Sequence, residues 1–156
     1  MAGSSTCSLA PIGFVRSPLK RRADAPMQPD ENAPDAWIEI EEPYADAIEG
    51  IAVGQQIVLI TWLHRAKRDV LRVYARGDRS RPLTGVFATR SPDRPNPLGL
   101  HRVTVLRMEG TRLEVGPLEA IDGTPVLDIK RAIEPGARPV TGPDVERPIE
   151  SKAKGP

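Results

Sequence analysis

The chain of 156 residues is long enough for one domain with a hydrophobic core, but its composition excludes several classes of protein. Aromatic residues make up only 4% of it, while 17 Pro and 13 Gly favour short strands and turns over long helices. A single cysteine, Cys7, excludes an internal disulfide. The sequence has no apolar run of membrane-spanning length and no secretory signal pattern, so we expect a cytoplasmic protein that does not enter a membrane.

The charges of the sequence fall into two blocks, although its net charge is only +1. Residues 29–50 carry eight acidic residues and no Lys or Arg, whereas residues 61–107 carry eleven basic residues against three acidic ones. In one interpretation the two blocks face each other within the fold or across two subunits. In the other, the basic block binds a phosphate-bearing partner, and its preference for Arg over Lys favours bidentate recognition of phosphate or carboxylate.

Short apolar, β-branched runs separated by turn residues predict a mainly β protein. In chain order we predict a flexible leader at residues 1–9, strands at 11–15 and 37–40, a short helix at 43–50, strands at 56–64 and 70–76, a hairpin at 102–115 that turns at 109–110, and a strand at 125–129. The run at 56–64 is almost continuously apolar, which predicts a strand buried on both faces. Many short strands with one minor helix predict a single β-barrel or a strongly bent sheet. Because the sequence has neither a G-x-G-x-x-G turn after a strand nor a P-loop, a Rossmann fold is not supported.

The sequence GVFATRSPDRPNPLG at residues 85–99 is the strongest candidate for a binding loop. Each of its three prolines holds φ at about −65° and keeps the residue before it in an extended conformation. Ser91, Arg94 and Asn96 therefore lie on a stiff, non-helical segment and lose little backbone entropy when they bind a partner. Stiff loops that present Arg and Asn are typical of binding sites.

Two histidines and an acidic turn are the remaining candidates for chemistry. His64 ends the predicted apolar strand, where it either bonds a neighbouring carbonyl or meets a ligand, and His101 lies beside the stiff loop. With no third ligand at a suitable spacing, the two histidines do not predict a metal site. In the segment EAIDGTP at 119–125, Asp122 either bonds its own backbone or joins Glu119 in binding hydroxyl groups, an amino group or a cation.

No nucleophile and base occur together in a recognisable motif, and the G-x-S-x-G elbow of hydrolases is missing. If the protein is an enzyme, the reactive group belongs to an activated cosubstrate that the protein positions. The residues alone leave the identity of a catalytic residue open.

Several of these motifs resemble the signature segments of the TsaA-like (TrmO) family. The resemblance is carried by GVFATRSPDRPNPLG at 85–99, DGTPVLDIK at 122–130, IGFVRSP at 12–18 and YADAIEG at 44–50. It implies a TsaA-like β-barrel domain at 10–135, after the leader at 1–9. A Pro/Gly-rich extension with a loose tail follows at 136–156, in place of the C-terminal domain of longer members.

Membership of this family implies an S-adenosylmethionine-dependent methyltransferase built on a single β-barrel with short helices, unlike the doubly wound methyltransferases. Its members methylate N6 of threonylcarbamoyladenosine in the tRNA anticodon loop. They act as homodimers with the active site near the subunit interface. The implied partners are therefore the tRNA anticodon stem–loop and a second subunit, without a metal or a membrane.

The family motifs also imply which residues bind the cofactor. By matching positions these are Gln28, Pro29, Asp30, His64, Arg65, Arg90, Leu100, Glu119, Ala120, Ile121 and Asp122. Arg94 and Asn96 are assigned to shaping the pocket or binding the substrate. The guanidinium of Arg90 on a Pro-stiffened loop suits the α-carboxylate of the cofactor, and the carboxylates at 119–122 suit its adenosine or its cation.

Two alternatives remain open at this point. One is a methyltransferase of the same architecture that acts on a small molecule. The other is a non-catalytic RNA-binding barrel, which explains the basic block but gives no reason for the composition of residues 85–99 or 119–125.

Overall fold

In the computed structural model, which describes residues 5–134, six strands close into an antiparallel barrel. The strands are β1 (Gly13–Arg16), β2 (Ala36–Ile40), β3 (Gln56–Trp62), β4 (Arg72–Tyr74), β5 (Leu83–Gly85), β6 (Leu98–Glu109), β7 (Arg112–Gly116) and β8 (Pro125–Arg131). Around the barrel they follow the order β1-β2-β7-β6-β3-β8, and β8 pairs with β1 to close it, while β4 and β5 form a separate ribbon. The prediction of a single β-barrel is confirmed. The extension predicted at 136–156 and the first four residues of the leader lie outside the described residues.

Aliphatic side chains from alternate positions of the strands fill the barrel interior. Those with 2% exposure or less include Val15, Ala36, Ile38, Ile57, Leu59, Val103, Val105, Leu113, Val115, Leu118 and Val126. Branched side chains suit this interior because they pack well on a pleated surface. Each large one contributes about 1.5–3 kcal/mol by leaving water. The barrel is therefore a stable frame on which the connecting loops are mounted.

Two predicted strands differ from the observed ones. In β3, Ile57, Leu59 and Thr61 face the interior, while the residues between them are half-buried on the outer side. The prediction of a strand buried on both faces is wrong, because side chains alternate between the inside and the outside of a barrel whatever their hydrophobicity. The strand predicted at 70–76 is reduced to β4, which pairs with β5 outside the barrel.

The remaining predicted elements are observed with shifts of a few residues, whereas β5 was not predicted. The helix predicted at 43–50 is a 3₁₀ segment, Glu42–Ile48, which begins with Pro43 in its first turn and buries only Ile48. The β6–β7 hairpin turns at Gly110, whose φ of 58° favours glycine. Further 3₁₀ segments are Arg22–Asp24, Ala75–Gly77 and Val86–Ala88. No helix within residues 5–134 has the length and apolar character needed to cross a membrane.

Candidate functional site

Four loops that carry predicted site residues meet at one end of the barrel. β1 runs antiparallel to β2 and β8, and β3 runs antiparallel to β6 and β8. The ends of β1 and β3 therefore lie beside the starts of β2, β6 and β8. The loops at this end are 17–35, 63–71, 89–97 and 117–124, and they contain every predicted site residue except Leu100. We call this end of the barrel the loop end.

Asp93 ties three of these loops together. Its Oδ2 accepts a hydrogen bond from Arg22 Nη2 at 2.8 Å, and its Oδ1 accepts one from the backbone N–H of Lys67 at 2.8 Å. The backbone N–H of Arg94 in turn donates to the carbonyl of Lys67 at 3.0 Å. Burial pushes the pKa of Asp93 upwards, but the hydrogen bonds and charges of Arg22 and Lys67 outweigh it and hold that pKa below its usual value. Asp93 is therefore ionised at neutral pH and acts as a fixed joint between the loops.

Asp93→Asn is expected to lower the free energy of unfolding by about 1–3 kcal/mol at pH 7, because the amide turns a donor towards Arg22 or Lys67. The folded-state pKa of Asp93 lies below its unfolded value, so its stabilising contribution is complete above the unfolded pKa and is lost as pH falls through the folded one. The difference in stability between the variant and the wild-type protein should therefore shrink below about pH 4.

Chemical denaturation as a function of pH measures this difference. Asp24→Asn is the matched control, since Asp24 pairs with Arg21 in an exposed turn within loop 17–35. If Asp93→Asn destabilises the protein no more than Asp24→Asn does, the contacts of Asp93 between the loops do not stabilise the fold.

Asp122 joins the first loop to the loop before β8. Its Oδ1 accepts the backbone N–H of Ser17 at 3.0 Å, and its Oδ2 lies 3.0 Å from Lys20 Nζ. Its own N–H donates to the carbonyl of Leu19 at 2.7 Å. The hydrogen bond from Ser17 is the main reason that the pKa of Asp122 lies below its usual value, and burial opposes it. The carboxylate thus bonds the backbone of a residue 105 positions away, whereas the sequence suggested a bond within its own turn.

Arg94 holds the stiff loop together from within. Its guanidinium donates to the carbonyls of Ser91 at 2.7 Å, Val86 at 3.0 Å and Thr89 at 2.6 Å. The loop is therefore wrapped around this half-buried side chain. A contact between Arg94 and the substrate stays a prediction, but much of its donor capacity is used inside the loop.

Asn96 and Arg90, on the same loop, differ in how far they are engaged. Asn96 Oδ1 accepts a hydrogen bond from Arg68 Nη2 at 3.1 Å. Arg68 also donates to the carbonyl of Pro95 and lies 5.0 Å from the ring centre of Trp62. Arg90 is exposed and forms neither a side-chain hydrogen bond nor an ion pair with any residue in the range 5–134. Its guanidinium is therefore available for an anionic ligand.

The predicted residues of the first two loops also border the loop end. Gln28 and Asp30 are exposed and Pro29 between them is half-buried, while His64 and Arg65 are exposed after β3. Partial burial, together with the charge of Arg65, holds the pKa of His64 below its usual value. The His64 ring is therefore neutral at pH 7 and can donate or accept a hydrogen bond.

Leu100 is the exception among the predicted residues. It lies on β6 and alternates with the inward-facing Gly99 and His101, so its side chain points to the outside of the barrel. That side chain is 53% exposed. Leu100 thus belongs to the outer surface, beside the loop end rather than inside it.

A hydrogen-bonded chain that the sequence did not predict runs from the barrel interior to the loop end. Thr61 Oγ1 lies 2.7 Å from His101 Nε2, and His101 Nδ1 lies 2.5 Å from Glu119 Oε1. Gly99 leaves room for it, since a Cβ atom there would lie 2.6 Å from His101 Nε2. The available sequence signal was that His101 shares the inward phase of β6 with Val103, where a polar side chain is unexpected.

Glu119 carries one of two buried side-chain polar atoms that lack a hydrogen-bond partner among residues 5–134, the other being Arg112 Nε. Its Oε2 is buried and has no hydrogen-bond partner within the described part of the chain. Its neighbours Ala120 and Ile121 are 4% and 8% exposed and face the protein. A buried acceptor without a donor is costly unless a ligand supplies one. Of the predicted residues at 119–122, Glu119 is therefore the one best placed to receive a donor group.

A cavity is present in the described part of the chain, but it lies away from the loop end. Residues 5–134 contain no group of three His, Cys, Asp or Glu side chains that could hold a metal ion. A cavity of about 360 Å³ lies at the opposite end of the barrel, beside the 3₁₀ segment Glu42–Ile48. Its apolar lining includes Ile12, Ile40, Ile48, Ile57 and Ile129, and no predicted site residue. The loop end has the convergent polar groups that fix a ligand's orientation.

The loop end can therefore bind and orient a ligand that carries a carboxylate together with hydroxyl or N–H groups. It offers little for nucleophilic catalysis, because the hydroxyl of Thr61, which bonds His101, is completely buried.

Comparison with known proteins identifies relatives for most of the chain. The family model for the tRNA-methyltransferase O N-terminal domain matches residues 14–135. A probable S-adenosyl-L-methionine-binding protein of Methanothermobacter thermautotrophicus is 47% identical over 122 residues, which cover 78% of this chain and 87% of that protein. An S-adenosyl-L-methionine-binding protein of Archaeoglobus fulgidus is 45% identical over 123 residues, which cover 79% of this chain and 87% of that protein.

Solved structures share the fold as well. A crystal structure of TrmO from Pseudomonas aeruginosa superposes with a TM-score of 0.67 at 32% identity, covering 83% of this chain and 57% of that chain. A second TrmO structure from the same species has a TM-score of 0.68 at 28% identity and covers 99% of this chain and 63% of that chain. This chain therefore spans less than two thirds of either solved protein.

Proposed function

Because this chain belongs to the family of tRNA-methyltransferase O N-terminal domains over residues 14–135, we propose that it is an S-adenosylmethionine-dependent methyltransferase that acts on tRNA. The observation that carries the proposal is the convergence of the predicted cofactor loops at the loop end. Asp93 and Asp122 hold these loops together through hydrogen bonds to residues far away in the sequence. Such a preorganised set of loops is what a positioning enzyme needs.

The polar groups of the loop end complement those of S-adenosylmethionine. Arg90, exposed and without an ion-pair partner among residues 5–134, would bind the α-carboxylate. Glu119, whose Oε2 is buried and has no donor within residues 5–134, would accept a hydrogen bond from a hydroxyl or amino group. Gln28, Asp30 and His64 lie on loops at the same end of the barrel.

The protein's main task would be alignment. When bound, S-adenosylmethionine supplies a methyl group that is already activated on a sulfonium ion. The chain's own residues would hold the acceptor nitrogen in line with the methyl–sulfur bond, which breaks as the nitrogen–methyl bond forms. The proton that the nitrogen loses would pass to solvent, since the residues suggest no general base for it. Positioning of this kind can contribute about 7–11 kcal/mol in favourable cases.

We infer that the acceptor is N6 of threonylcarbamoyladenosine in the tRNA anticodon loop. The family description supports a tRNA substrate. The basic block supports it too, since Arg65, Arg72 and Arg79 form no ion pair with any residue described here. Within residues 5–134 only the pair Arg76–Glu31 joins the basic block to the acidic one. Free arginines around the loop end would bind the phosphates of a stem–loop, and action on tRNA agrees with the cytoplasmic location expected from the sequence.

A methyl-transfer assay tests this function directly. The purified protein, S-adenosylmethionine and a tRNA that carries threonylcarbamoyladenosine should yield the N6-methylated nucleoside, detected by mass spectrometry after digestion. The same tRNA with unmodified adenosine at that position should not react. Binding of S-adenosylhomocysteine without methylation of either tRNA would instead support a small-molecule acceptor. Salt-sensitive tRNA binding with no cofactor binding would support a non-catalytic RNA-binding barrel.

We also propose that the protein is a homodimer whose subunits meet beside the loop end. On the outer face of β6, Leu98 is 43% exposed and Leu100 is 53% exposed, and Phe87 in the preceding segment is 83% exposed. Such apolar side chains on a face that is normally polar are typical of a surface covered by a partner.

Light scattering should show a dimer at micromolar concentration that Leu100→Arg converts to a monomer. Val53→Arg, at a site 61% exposed near the other end of β3, should leave the dimer intact, and a monomeric wild-type protein would contradict the proposal.

A further inference from the structure

We propose that His101 is a positioning residue, which holds the Glu119 carboxylate so that its Oε2 accepts a hydrogen bond from a donor group of the bound cofactor. This inference rests on the proposed use of S-adenosylmethionine. It adds His101, and Thr61 behind it, to the proposed site. The family motifs imply a role for neither residue.

The burial of the three side chains shows which end of this hydrogen-bonded series lies nearer to solvent. The side chain of Thr61 is completely buried, that of His101 is 4% exposed, and that of Glu119 is 17% exposed. A hydroxyl, an imidazole and a carboxylate in this order also occur in the triads of hydrolases. Here the hydroxyl lies in the barrel core and cannot reach a substrate. The chain is therefore anchored at Thr61, and Glu119, as the most exposed of the three side chains, is the end closest to solvent. Its Oε2 atom is itself covered, so a ligand donor would have to displace the groups that cover it.

The hydrogen-bonding capacity of the three groups explains why the ring is held. A carboxylate oxygen can only accept, so the His101 ring donates its Nδ1–H to Glu119 Oε1. A hydroxyl group can both donate and accept, so Thr61 Oγ1 can bond Nε2 whether or not that nitrogen carries a proton. Because both ring nitrogens are engaged, the ring cannot turn. Glu119 Oε1 is held in place, and Oε2 is left as an acceptor without a partner among residues 5–134.

The backbone around Glu119 is held equally firmly. The N–H of Leu118 donates to the carbonyl of Pro34 at 2.9 Å, and the N–H of Gly123 donates to the carbonyl of Val15 at 2.7 Å. These bonds attach the residues on both sides of Glu119 to loop 17–35 and to β1. The carboxylate is thus a preorganised acceptor, whose binding needs little further ordering.

Calorimetric titration with S-adenosylhomocysteine tests the proposal with matched variants. His101→Leu should weaken binding about tenfold or more, because Glu119 loses the donor that orients it. His101→Asn should stay within about threefold of the wild-type affinity, because its amide N–H can replace the Nδ1–H. Glu119→Gln should be at least as weak as His101→Leu. The double variant should be no weaker than Glu119→Gln alone, since His101 acts through Glu119.

Nitrogen NMR of the histidine rings supplies a readout that a purely structural role would not change. The chain has two histidines, so the signals that disappear in His101→Asn identify His101. Adding S-adenosylhomocysteine to the wild-type protein should shift the Nδ1 signal of His101, although His101 does not touch the ligand. The shift should be absent in Glu119→Gln.

The outcomes separate this inference from the function on which it rests. If the wild-type protein does not bind S-adenosylhomocysteine, the proposed cofactor is wrong and the inference falls with it. If the wild-type protein binds while His101→Leu and Glu119→Gln bind equally tightly, only the positioning role is overturned. Should His101→Leu fail to fold, Glu119→Gln, His101→Asn and the NMR shift still decide.

Discussion

Arg94→Ala is expected to lower the free energy of unfolding by about 2–3 kcal/mol, because three loop carbonyls lose a charged donor. Arg90→Ala, four residues earlier, should leave the stability unchanged. It should weaken binding of S-adenosylhomocysteine about tenfold or more, because its exposed guanidinium, which has no partner among the described residues 5–134, is available for the ligand's carboxylate. Of these two arginines on one loop, Arg94 is thus expected to affect mainly stability and Arg90 mainly ligand binding.

Chemical denaturation and calorimetric titration together measure the contrast between Arg94 and Arg90. Arg94→Lys should not restore stability, since an ammonium group lacks the planar fork that reaches several carbonyls at once. The sequence assigned Arg94 to the pocket or the substrate. If Arg94→Ala keeps full stability and loses only tRNA methylation, that assignment is correct. The proposal that Arg94 stabilises the loop from within is then wrong.

Gly13→Ala is expected to destabilise the protein by about 2–3 kcal/mol or more, because overpacking against the backbone cannot be relieved by moving a side chain. A Cβ atom at this position would meet the carbonyl group of Glu39 on the neighbouring strand, with the carbonyl carbon at 3.0 Å. Gly13 pairs with Ile40 in β2 and with Val126 in β8. The added methyl group therefore strains the strand that closes the barrel.

Gly85→Ala is the matched control for Gly13→Ala. Its backbone φ of −60° suits any residue, and an added Cβ would meet nothing within 4 Å. The control should change the free energy of unfolding by less than about 0.5 kcal/mol or stabilise the protein slightly. Denaturation curves of the two variants decide the question, and equal stabilities would show that β1 can shift to accept the methyl group.

Much of the barrel could be predicted from the alternation of aliphatic and polar residues. A segment with this alternation can bury its aliphatic side chains on one face only as a strand. The strand at 37–40 and the β6–β7 hairpin follow directly from that alternation. The continuous apolar run at 56–64 was misleading, since its outer residues look like core residues in the sequence. They are apolar on the outer face beside Leu98 and Leu100, where we propose that the second subunit binds.

The partners of individual side chains could not be predicted in the same way. Asp122 bonds Ser17 and Asp93 bonds Arg22, which lie 105 and 71 residues apart in the sequence. Likewise, Arg90 and Arg94 look equivalent in the motif, and only the path of the loop decides which guanidinium is used internally. Such bonds depend on which loops the barrel brings together, and local sequence does not contain that information.

The sequence by itself determined the mainly β architecture, the charge blocks and the segments that resemble the methyltransferase family, because these depend on composition, periodicity and local motifs. Only the tertiary structure decided which polar groups are free and which are engaged. It joined Thr61, His101 and Glu119 across three separate segments and, within residues 5–134, left one buried carboxylate oxygen without a donor. The physical reason is that a barrel closes by long-range pairing, so residues far apart in the chain become neighbours at its ends.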